Sequence, residues 1–198
     1  MKKFGLIWVA FAWVLIATAQ LPDNYYHSID GKTGAELKRA LHDVIAPHNN
    51  LGYSSLWKHY EQTDYVAGQT NDAGQYLIFD YYTTEKHYFT GKGTVPNGMN
   101  KEHVAPQSWW GGGTSPAVGS DLFQVLPSES TANSSKSNYQ AGVVVSVSKD
   151  FGRSRTGRDI NGNMVFEPSD EYKGDFARIY LYDAVCYPDV NWQNPNGG

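Results

Sequence analysis

Cysteine is nearly absent from this chain of 198 residues, which contains only Cys186. A single cysteine excludes an intramolecular disulfide and therefore a disulfide-stabilised scaffold. The helical pattern around Cys186 favours a small buried apolar side chain, with a free thiol or a bond to another chain as alternatives. No set of Cys and His residues has the sequence spacing of a zinc site, so we expect metal ligands to be oxygen atoms.

Positive charge is also scarce, because 16 Lys and Arg residues against 20 Asp and Glu give a formal net charge of −4. Proteins that bind nucleic acid tightly usually carry a basic surface, at least locally. From charge alone, an ordinary solvated loop is the favoured interpretation of the local basic candidates, and the charge balance argues mildly against tight binding. Catalytic turnover on nucleic acid does not require tight binding. These candidates are Lys136, Lys149, Arg153, Arg155 and Arg158.

Long apolar runs are missing except at the N-terminus, where the 16 residues from Phe4 to Ala19 carry no charge. Two lysines precede this run and Ala17-Thr18-Ala19 ends it, which is typical of a secretory signal peptide with its cleavage site. A membrane anchor is the weaker alternative, since a spanning helix needs ~20 apolar residues. We therefore expect residues 1–19 to be removed, leaving residues 20–198 as one domain.

Periodic patterns in the remaining sequence predict both helices and strands. Thr33 and Glu36 form a capping box for a helix that Pro47 ends, and Ala177 to Val185 form a late amphipathic helix. Aromatic and β-branched runs predict strands between polar segments. The further expectations are a helical turn at 56–60, strands at 75–82, 102–105, 122–126 and 143–147, and a polar loop at 152–162.

The segment from Asn100 to Asn138 contains most of the candidate catalytic and metal-binding residues. Glu102 and His103 are adjacent in a stretch expected to be extended, so their side chains point to opposite faces. One can hold a hard cation through oxygen while the other presents a neutral imidazole to a substrate. Asn133 offers a second oxygen ligand from the following element. Taken alone, His103 better suits a structural role as a hydrogen-bonded imidazole. The structural alternatives are a surface carboxylate for Glu102 and a helix cap or turn residue for Asn133.

Three ordered blocks in this segment resemble the endonuclease I family of secreted, non-specific nucleases, which carry a ββα-metal (His-Me) finger. A later block, from Phe166 to Arg178, is similar to the family's late helix. The resemblance implies an α+β fold with a single domain built around the finger and flanked by helices. It also places Asn133 on a helix that propensity alone does not favour. The three blocks are Glu102-His103-Val104-Ala105-Pro106-Gln107-Ser108, Asp121 to Ser128, and Asn133-Ser134-Ser135-Lys136-Ser137-Asn138.

The resemblance implies that His103 is the general base and that Glu102 and Asn133 bind Mg²⁺ directly, with Mn²⁺ or Ca²⁺ as alternatives. These three residues form the expected catalytic set. Asp121 is expected to brace the finger by hydrogen bonding. The four expected substrate contacts are Lys136, Asn138, Trp109 and Arg178. The alternative for Lys136 and Asn138 is to order the finger. The alternative is packing for Trp109 and an ion pair with Asp175 for Arg178.

Several positions depart from the family pattern. Lys136 replaces an Arg that many members carry, which loses bidentate phosphate geometry. Gly119 stands where some members have Glu, and Phe123 and Gln124 stand where a His or Asn pair is usual. Members continue beyond the point where this sequence stops, so we expect either a fragment or a trimmed member.

The activity implied is one-metal hydrolysis of DNA, and of RNA, by a secreted enzyme that leaves 5′-phosphates. Neither a stable membrane association nor an obligatory protein partner is expected. A non-enzymatic secreted module that binds carbohydrate or nucleic acid is the main alternative, because 14 Tyr, 8 Phe and 6 Trp suit such contacts. A hydrolase of another phosphoester is a third. The joint presence of Glu102, His103 and Asn133 favours the nuclease.

Overall fold

The computed structural model describes residues 21–46, 48–114 and 116–193, which form one mixed α+β domain. The signal-peptide prediction for residues 1–19 lies outside the described residues. The helices are α1 (Gly34–Ile45), α2 (Leu56–Thr63), α3 (Ser130–Lys136) and α4 (Lys173–Cys186). The strands are β1 (Tyr65–Thr70), β2 (Tyr76–Ile78), β3 (Met99–His103), β4 (Val125–Glu129), β5 (Gln140–Ala141), β6 (Ser146–Asp150), β7 (Ser154–Arg158) and β8 (Met164–Pro168).

The strands pair into three small sheets within the described residues. β1 pairs with β2, and β3 pairs with β4 in an unbroken antiparallel register from Met99–Glu129 to His103–Val125. The third sheet has the order β5-β8-β7-β6, in which only β5 and β8 run parallel. No helix among the described residues is long and apolar enough to cross a membrane.

β3, β4 and α3 follow one another as strand, strand and helix, and they contact each other. The start of α3 explains why its Ser- and Asn-rich sequence is helical. Glu129 is the N-cap, and its carboxylate accepts hydrogen bonds from the backbone N–H groups of Thr131 and Ala132, both at 2.7 Å. Asp80 in turn accepts the Glu129 N–H at 2.7 Å. Such capping compensates for weak intrinsic helix propensity.

The β3–β4 pair is covered on both faces, because adjacent residues on a strand point in opposite directions. Val125 belongs to a buried cluster with Trp57 and Tyr60 of α2. Leu126 belongs to another with Phe166 of β8 and Phe176 of α4. Many of the aromatic side chains therefore serve the core. This rigid support fixes the end of β3, where Glu102 and His103 lie.

Several predicted elements are confirmed with shifted bounds. α1 starts after its N-cap Thr33, but the threonine makes no side-chain capping bond and Glu36 pairs with Lys32 at 2.6 Å. The strand expected at 122–126 begins at Val125, because the Asp121 carboxylate accepts the Phe123 N–H at 2.8 Å and holds a turn there. The strand expected at 143–147 is β6, and that expected at 75–82 is only the short β2.

The expectation of a polar loop at 152–162 is wrong, because β7 occupies residues 154–158. β7 is polar in sequence, yet it pairs along its length with β8. Arg155 lies opposite Glu167, and the two form an ion pair at 2.9 Å. Cross-strand pairing of this kind stabilises a strand without an apolar pattern. β1, which no sequence pattern predicted, is mostly exposed.

Candidate active site

A polar cleft at the end of β3 brings together Glu102, His103 and Asn133. β3 supplies the first two, and α3 supplies the third. The short 3₁₀ turn that contains Tyr53 and the loop that follows β3 complete its walls. The three residues expected to form the catalytic set thus share one surface depression.

Glu102 is buried, and its carboxylate Oε1 lies 2.5 Å from the Lys136 ammonium. Burial raises the pKa of Glu102, while the Lys136 charge and the His103 backbone N–H oppose that shift. Lys136 has no exposed surface, and its Nζ also donates to the His103 carbonyl at 3.1 Å. Of the two roles foreseen for Lys136, this geometry suits ordering of the site, since a phosphate contact would require the buried ion pair to open.

His103 is fixed on several sides. Its Nε2 lies 3.0 Å from the Gly119 carbonyl oxygen. A carbonyl only accepts, so Nε2 carries the proton and Nδ1 keeps its lone pair. The ring stacks on Tyr53 with centroids 5.6 Å apart and meets Trp110 edge-on at 5.5 Å. Burial lowers the pKa of His103 to about 4, against the opposing effect of the Gly119 bond, and Lys136 and Lys101 lower it further. The imidazole is therefore neutral at neutral pH.

Gly119 is a glycine for a steric reason. A Cβ at this position would lie 2.8 Å from the Thr114 Cα and 2.9 Å from the Gly113 carbonyl oxygen. Real Cβ atoms do not approach backbone that closely, so any side chain would push the turn away. The glycine thus lets the turn at Ala117–Ser120 present its carbonyl group to His103.

Asn133 is half-buried on α3, and its Nδ2 donates to the Lys101 carbonyl at 3.2 Å. This bond links α3 to β3 and engages the nitrogen of the amide, not its oxygen. Among the described residues, no hydrogen bond to Asn133 Oδ1 is formed, so that oxygen is available. Together with Glu102 it provides two hard oxygen donors in one cleft, a set that fits Mg²⁺ with waters completing its coordination.

The region that matches known proteins includes the residues of the cleft. A family model for endonuclease I matches residues 33–194. The chain belongs to the endonuclease I family. Members of this family are generally metal-dependent.

Two curated relatives share the extended similarity. The extracellular ribonuclease of Bacillus subtilis (strain 168) is 31% identical over 187 residues, which cover 88% of this chain and 59% of that protein. The extracellular ribonuclease of Bacillus amyloliquefaciens is 31% identical over 185 residues, with the same coverage. This endonuclease I family chain thus spans 59% of the length of the curated relatives that it matches.

Three of the four expected substrate contacts of this family member do not line the cleft, namely Trp109, Asn138 and Arg178. Trp109 stacks on Tyr180 with centroids 6.1 Å apart, and its Nε1 donates to the Asn138 carbonyl at 3.3 Å. Asn138 itself is exposed. Arg178 forms the expected ion pair with Asp175 and faces a separate depression on α4. Packing and ion pairing therefore account for Trp109 and Arg178, and their substrate roles remain predictions.

Two residues of the cleft have no counterpart in the sequence expectations. Tyr53 stacks on His103, and the Lys101 ammonium lies 3.6 Å from the centroid of the same tyrosine ring. Lys101 also donates to the Tyr53 carbonyl at 2.7 Å. Lys101 could have been found, because it is two residues before His103 and shares its face of β3. Nothing local points to Tyr53, which is 48 positions from Lys101.

Proposed function

We propose that this endonuclease I family chain is a secreted endonuclease that hydrolyses phosphodiester bonds of DNA and RNA with a bound divalent cation. One observation carries the proposal: a neutral imidazole with a fixed proton shares a cleft with the oxygen donors of Glu102 and Asn133. The names of the two relatives, extracellular ribonucleases, support the same reaction class.

His103 acts as general base in this proposal. Its Nδ1 accepts a proton from the water whose oxygen attacks phosphorus, while the Gly119 carbonyl holds Nε2–H and so fixes the ring. The bond from phosphorus to the 3′-oxygen breaks, and that oxygen takes a proton from solvent. The products carry a 5′-phosphate and a 3′-hydroxyl group. The stacked Tyr53 ring keeps the imidazole from rotating away.

Glu102 and Asn133 hold the cation, for which we propose Mg²⁺, with Mn²⁺ or Ca²⁺ as alternatives. Such an ion, when bound, supplies positive charge to the phosphate oxygens and the leaving oxygen. Lys136 holds Oε1 of Glu102, which leaves Oε2 as the ligand. We assign β3, β4 and α3 to a ββα-metal finger on this basis, with Asp121 bracing the turn that precedes β4.

Recognition of substrate is expected to be independent of sequence. Lys101 is the only basic side chain, apart from His103, that lines the cleft among the described residues. A few phosphate contacts carry no base information, and they impose a salt dependence that scales with their number. We expect a shallow dependence, corresponding to about two to four contacts. Trp109, Asn138 and Arg178 are candidates for the outer ones.

The test is to incubate supercoiled plasmid and, separately, structured RNA with the purified protein, with Mg²⁺ or with EDTA. Both substrates should be cut only when the divalent ion is present, and a 5′-phosphate-dependent ligation should join the DNA products. Cutting at full rate in EDTA would contradict the cation. If neither polymer is cut although the folded protein still binds one of them, the binding module becomes the better description.

Secretion is part of the proposal, with residues 1–19 as signal peptide and the nuclease domain starting at Gln20. The two lysines, the uncharged run and Ala17-Thr18-Ala19 support it, as do the names of the relatives. Mass spectrometry of the exported protein should find Gln20 at or near its N-terminus. An intact Met1 on membrane-bound protein would instead favour the anchor.

A further inference from the structure

A second group of metal-ligating side chains lies away from the cleft. His48, Asp121 and Cys186 each offer one ligand atom, and these atoms all lie within 4.8 Å of one another. His48 follows α1, Asp121 precedes β4, and Cys186 is the last residue of α4. We call these three residues the His48 cluster. Its members are far apart in sequence, with 138 positions between His48 and Cys186.

The atoms of the His48 cluster already approach each other. His48 Nε2 lies 3.6 Å from Asp121 Oδ2, and His48 Nδ1 lies 3.9 Å from Cys186 Sγ. Ligand atoms around a tetrahedral zinc ion lie ~3.3–3.6 Å apart, as follows from its bond lengths. Because only one imidazole nitrogen binds a given ion, the side chains must shift by about an ångström before all three ligand atoms can bind one ion. His48 is partly exposed, with 29% of its side-chain surface accessible, so it can move that far.

Asp183 is the independent sign that a cation belongs here. It is only 2% exposed, and neither carboxylate oxygen has a hydrogen-bond partner among the described residues. It lies three positions before Cys186 on α4, so the two share a helix face. Burial and the Asp121 charge raise the pKa of Asp183 to about 8, so its ionised form at neutral pH requires a nearby cation. That ionised form interacts with Asp121, Cys186 and Tyr187. A buried carboxylate without a partner is costly, and a bound ion is a usual explanation.

We propose that His48, Asp121 and Cys186 bind a zinc-class transition-metal ion, whose charge Asp183 helps to balance. Imidazole, carboxylate and thiolate together suit Zn²⁺, whereas Mg²⁺ prefers oxygen ligands alone. The site therefore differs in chemistry from the cleft at Glu102.

Two tyrosines support the ligands in the way outer groups of metal sites do. Tyr182 and Tyr187 donate their hydroxyl groups to Asp121 Oδ2 at 2.7 and 2.5 Å, which fixes that carboxylate. The Tyr187 hydroxyl also lies 3.2 Å from His48 Nε2, so it can hold the imidazole while Nδ1, nearer Cys186, binds the ion. In known metal sites, hydrogen bonds of this kind orient the residues that bind the metal directly.

An ion in this site would add a further link between three segments that packing and hydrogen bonds already join. Asp121 is two residues from Gly119, whose carbonyl group binds His103. Occupancy is therefore expected to stabilise the turn at Ala117–Ser120 and the C-terminal end of α4. It acts on the fold and does not depend on the reaction proposed for the cleft.

The experiment uses the mature protein stripped of metal with a chelator. Titration with Co²⁺ should produce a thiolate-to-cobalt charge-transfer band that saturates at one equivalent, and calorimetry with Zn²⁺ should give the same stoichiometry. Cys186→Ser should abolish the band and weaken Zn²⁺ binding by about 10-fold or more. His48→Gln should weaken Zn²⁺ binding to a similar degree, and it should reduce the charge-transfer band without abolishing it.

Glu102→Gln is the matched control, because it removes an oxygen donor from the cleft and leaves the His48 cluster intact. It should keep both the band and the Zn²⁺ affinity. Circular dichroism checks that each variant is folded, and Cys186→Ala replaces the serine variant if that one is not. A folded wild-type protein without the thiolate band, or Zn²⁺ binding that Glu102→Gln removes and Cys186→Ser does not, would overturn the proposal.

Discussion

The cleft and the His48 cluster both gather ionisable side chains inside the domain, but the chain builds them differently. Glu102 and its partner Lys136 are 34 positions apart, on β3 and α3 of one consecutive strand–strand–helix unit that has β4 between them. His48 and Cys186 are 138 positions apart, on elements that meet only in the folded domain. A site built from neighbouring elements leaves a contiguous sequence pattern, whereas one built across the chain leaves none.

The two regions also differ in how their charges are balanced. In the cleft, Lys136 neutralises Glu102 at 2.5 Å, so the carboxylate is held in place without a metal. Beside the His48 cluster, the Asp183 carboxylate has no hydrogen-bond partner among the described residues. The cleft is thus held in place by its own charges, whereas the site that we propose at the cluster requires an added cation. The following predictions test that contrast.

His103→Ala should have the largest effect, a fall in the rate of cutting of about 10²–10⁴-fold, because it removes the proposed general base. The rate on plasmid with saturating Mg²⁺ measures it. His59→Ala, on α2 and outside both regions, is the control and should cut normally. A His103→Ala variant with native circular dichroism and a wild-type rate would remove the basis for the mechanism.

Lys136→Met should lower the free energy of unfolding by about 3–5 kcal/mol, because it leaves the buried Glu102 carboxylate without a counter-charge. Urea denaturation measures this loss. The double variant with Glu102→Gln should recover part of it. Lys173→Met is the control, since Lys173 is 43% exposed beside Glu167 and the loss of its solvent-screened ion pair should change stability little. Equal losses for the two lysines would show that Lys136 does not hold the cleft.

Asp80→Asn should flatten the pH dependence of stability. Asp80 contrasts with Asp183, because its carboxylate accepts the N–H groups of Tyr82 and Glu129, both at 2.7 Å. Burial still raises the pKa of Asp80 from 3.8 to about 6. Folding therefore favours the protonated acid, and this contribution is full below pH 3.8 and lost as the pH rises through about 6.

The expected loss from Asp80 is about 3 kcal/mol, since a pKa difference of about two units corresponds to about 1.4 kcal/mol per unit. Urea denaturation of both proteins between pH 3 and pH 7 measures it. The wild-type protein should lose this much more stability than Asp80→Asn over that range. Parallel curves would mean that Asp80 titrates normally in the folded protein.

Asn133→Ala should have the smallest effect, raising the Mg²⁺ concentration for half-maximal cutting by about 10-fold, because one of the two proposed oxygen ligands is lost. Rates across a Mg²⁺ series and calorimetric binding measure it. Cys186→Ser should leave the Mg²⁺ requirement unchanged, because it belongs to the other region. If Cys186→Ser shifted that requirement as much as Asn133→Ala, the two sites would not be independent.

Most of the site could be predicted because its residues are contiguous. The Glu102-His103 pair on a strand, and the three ordered blocks of which it is part, are visible in the sequence. The helix that carries Asn133 is different, because its composition does not favour helix. It forms because Glu129 caps it and because Asp80, 49 positions earlier, holds the Glu129 N–H. β7 was not predicted for a similar reason, because pairing with β8 stabilises its polar residues.

The sequence by itself determined the α+β class, the family resemblance and the expected catalytic set, because those depend on local periodicity and on residues in one segment. Only the tertiary structure decided that Lys136 is buried against Glu102, that Tyr53 stacks on His103 and that His48 meets Cys186. The physical reason is that local backbone geometry sets which face a side chain occupies. Its partner from a distant segment is set by the packing of the whole core, which no short window of sequence contains.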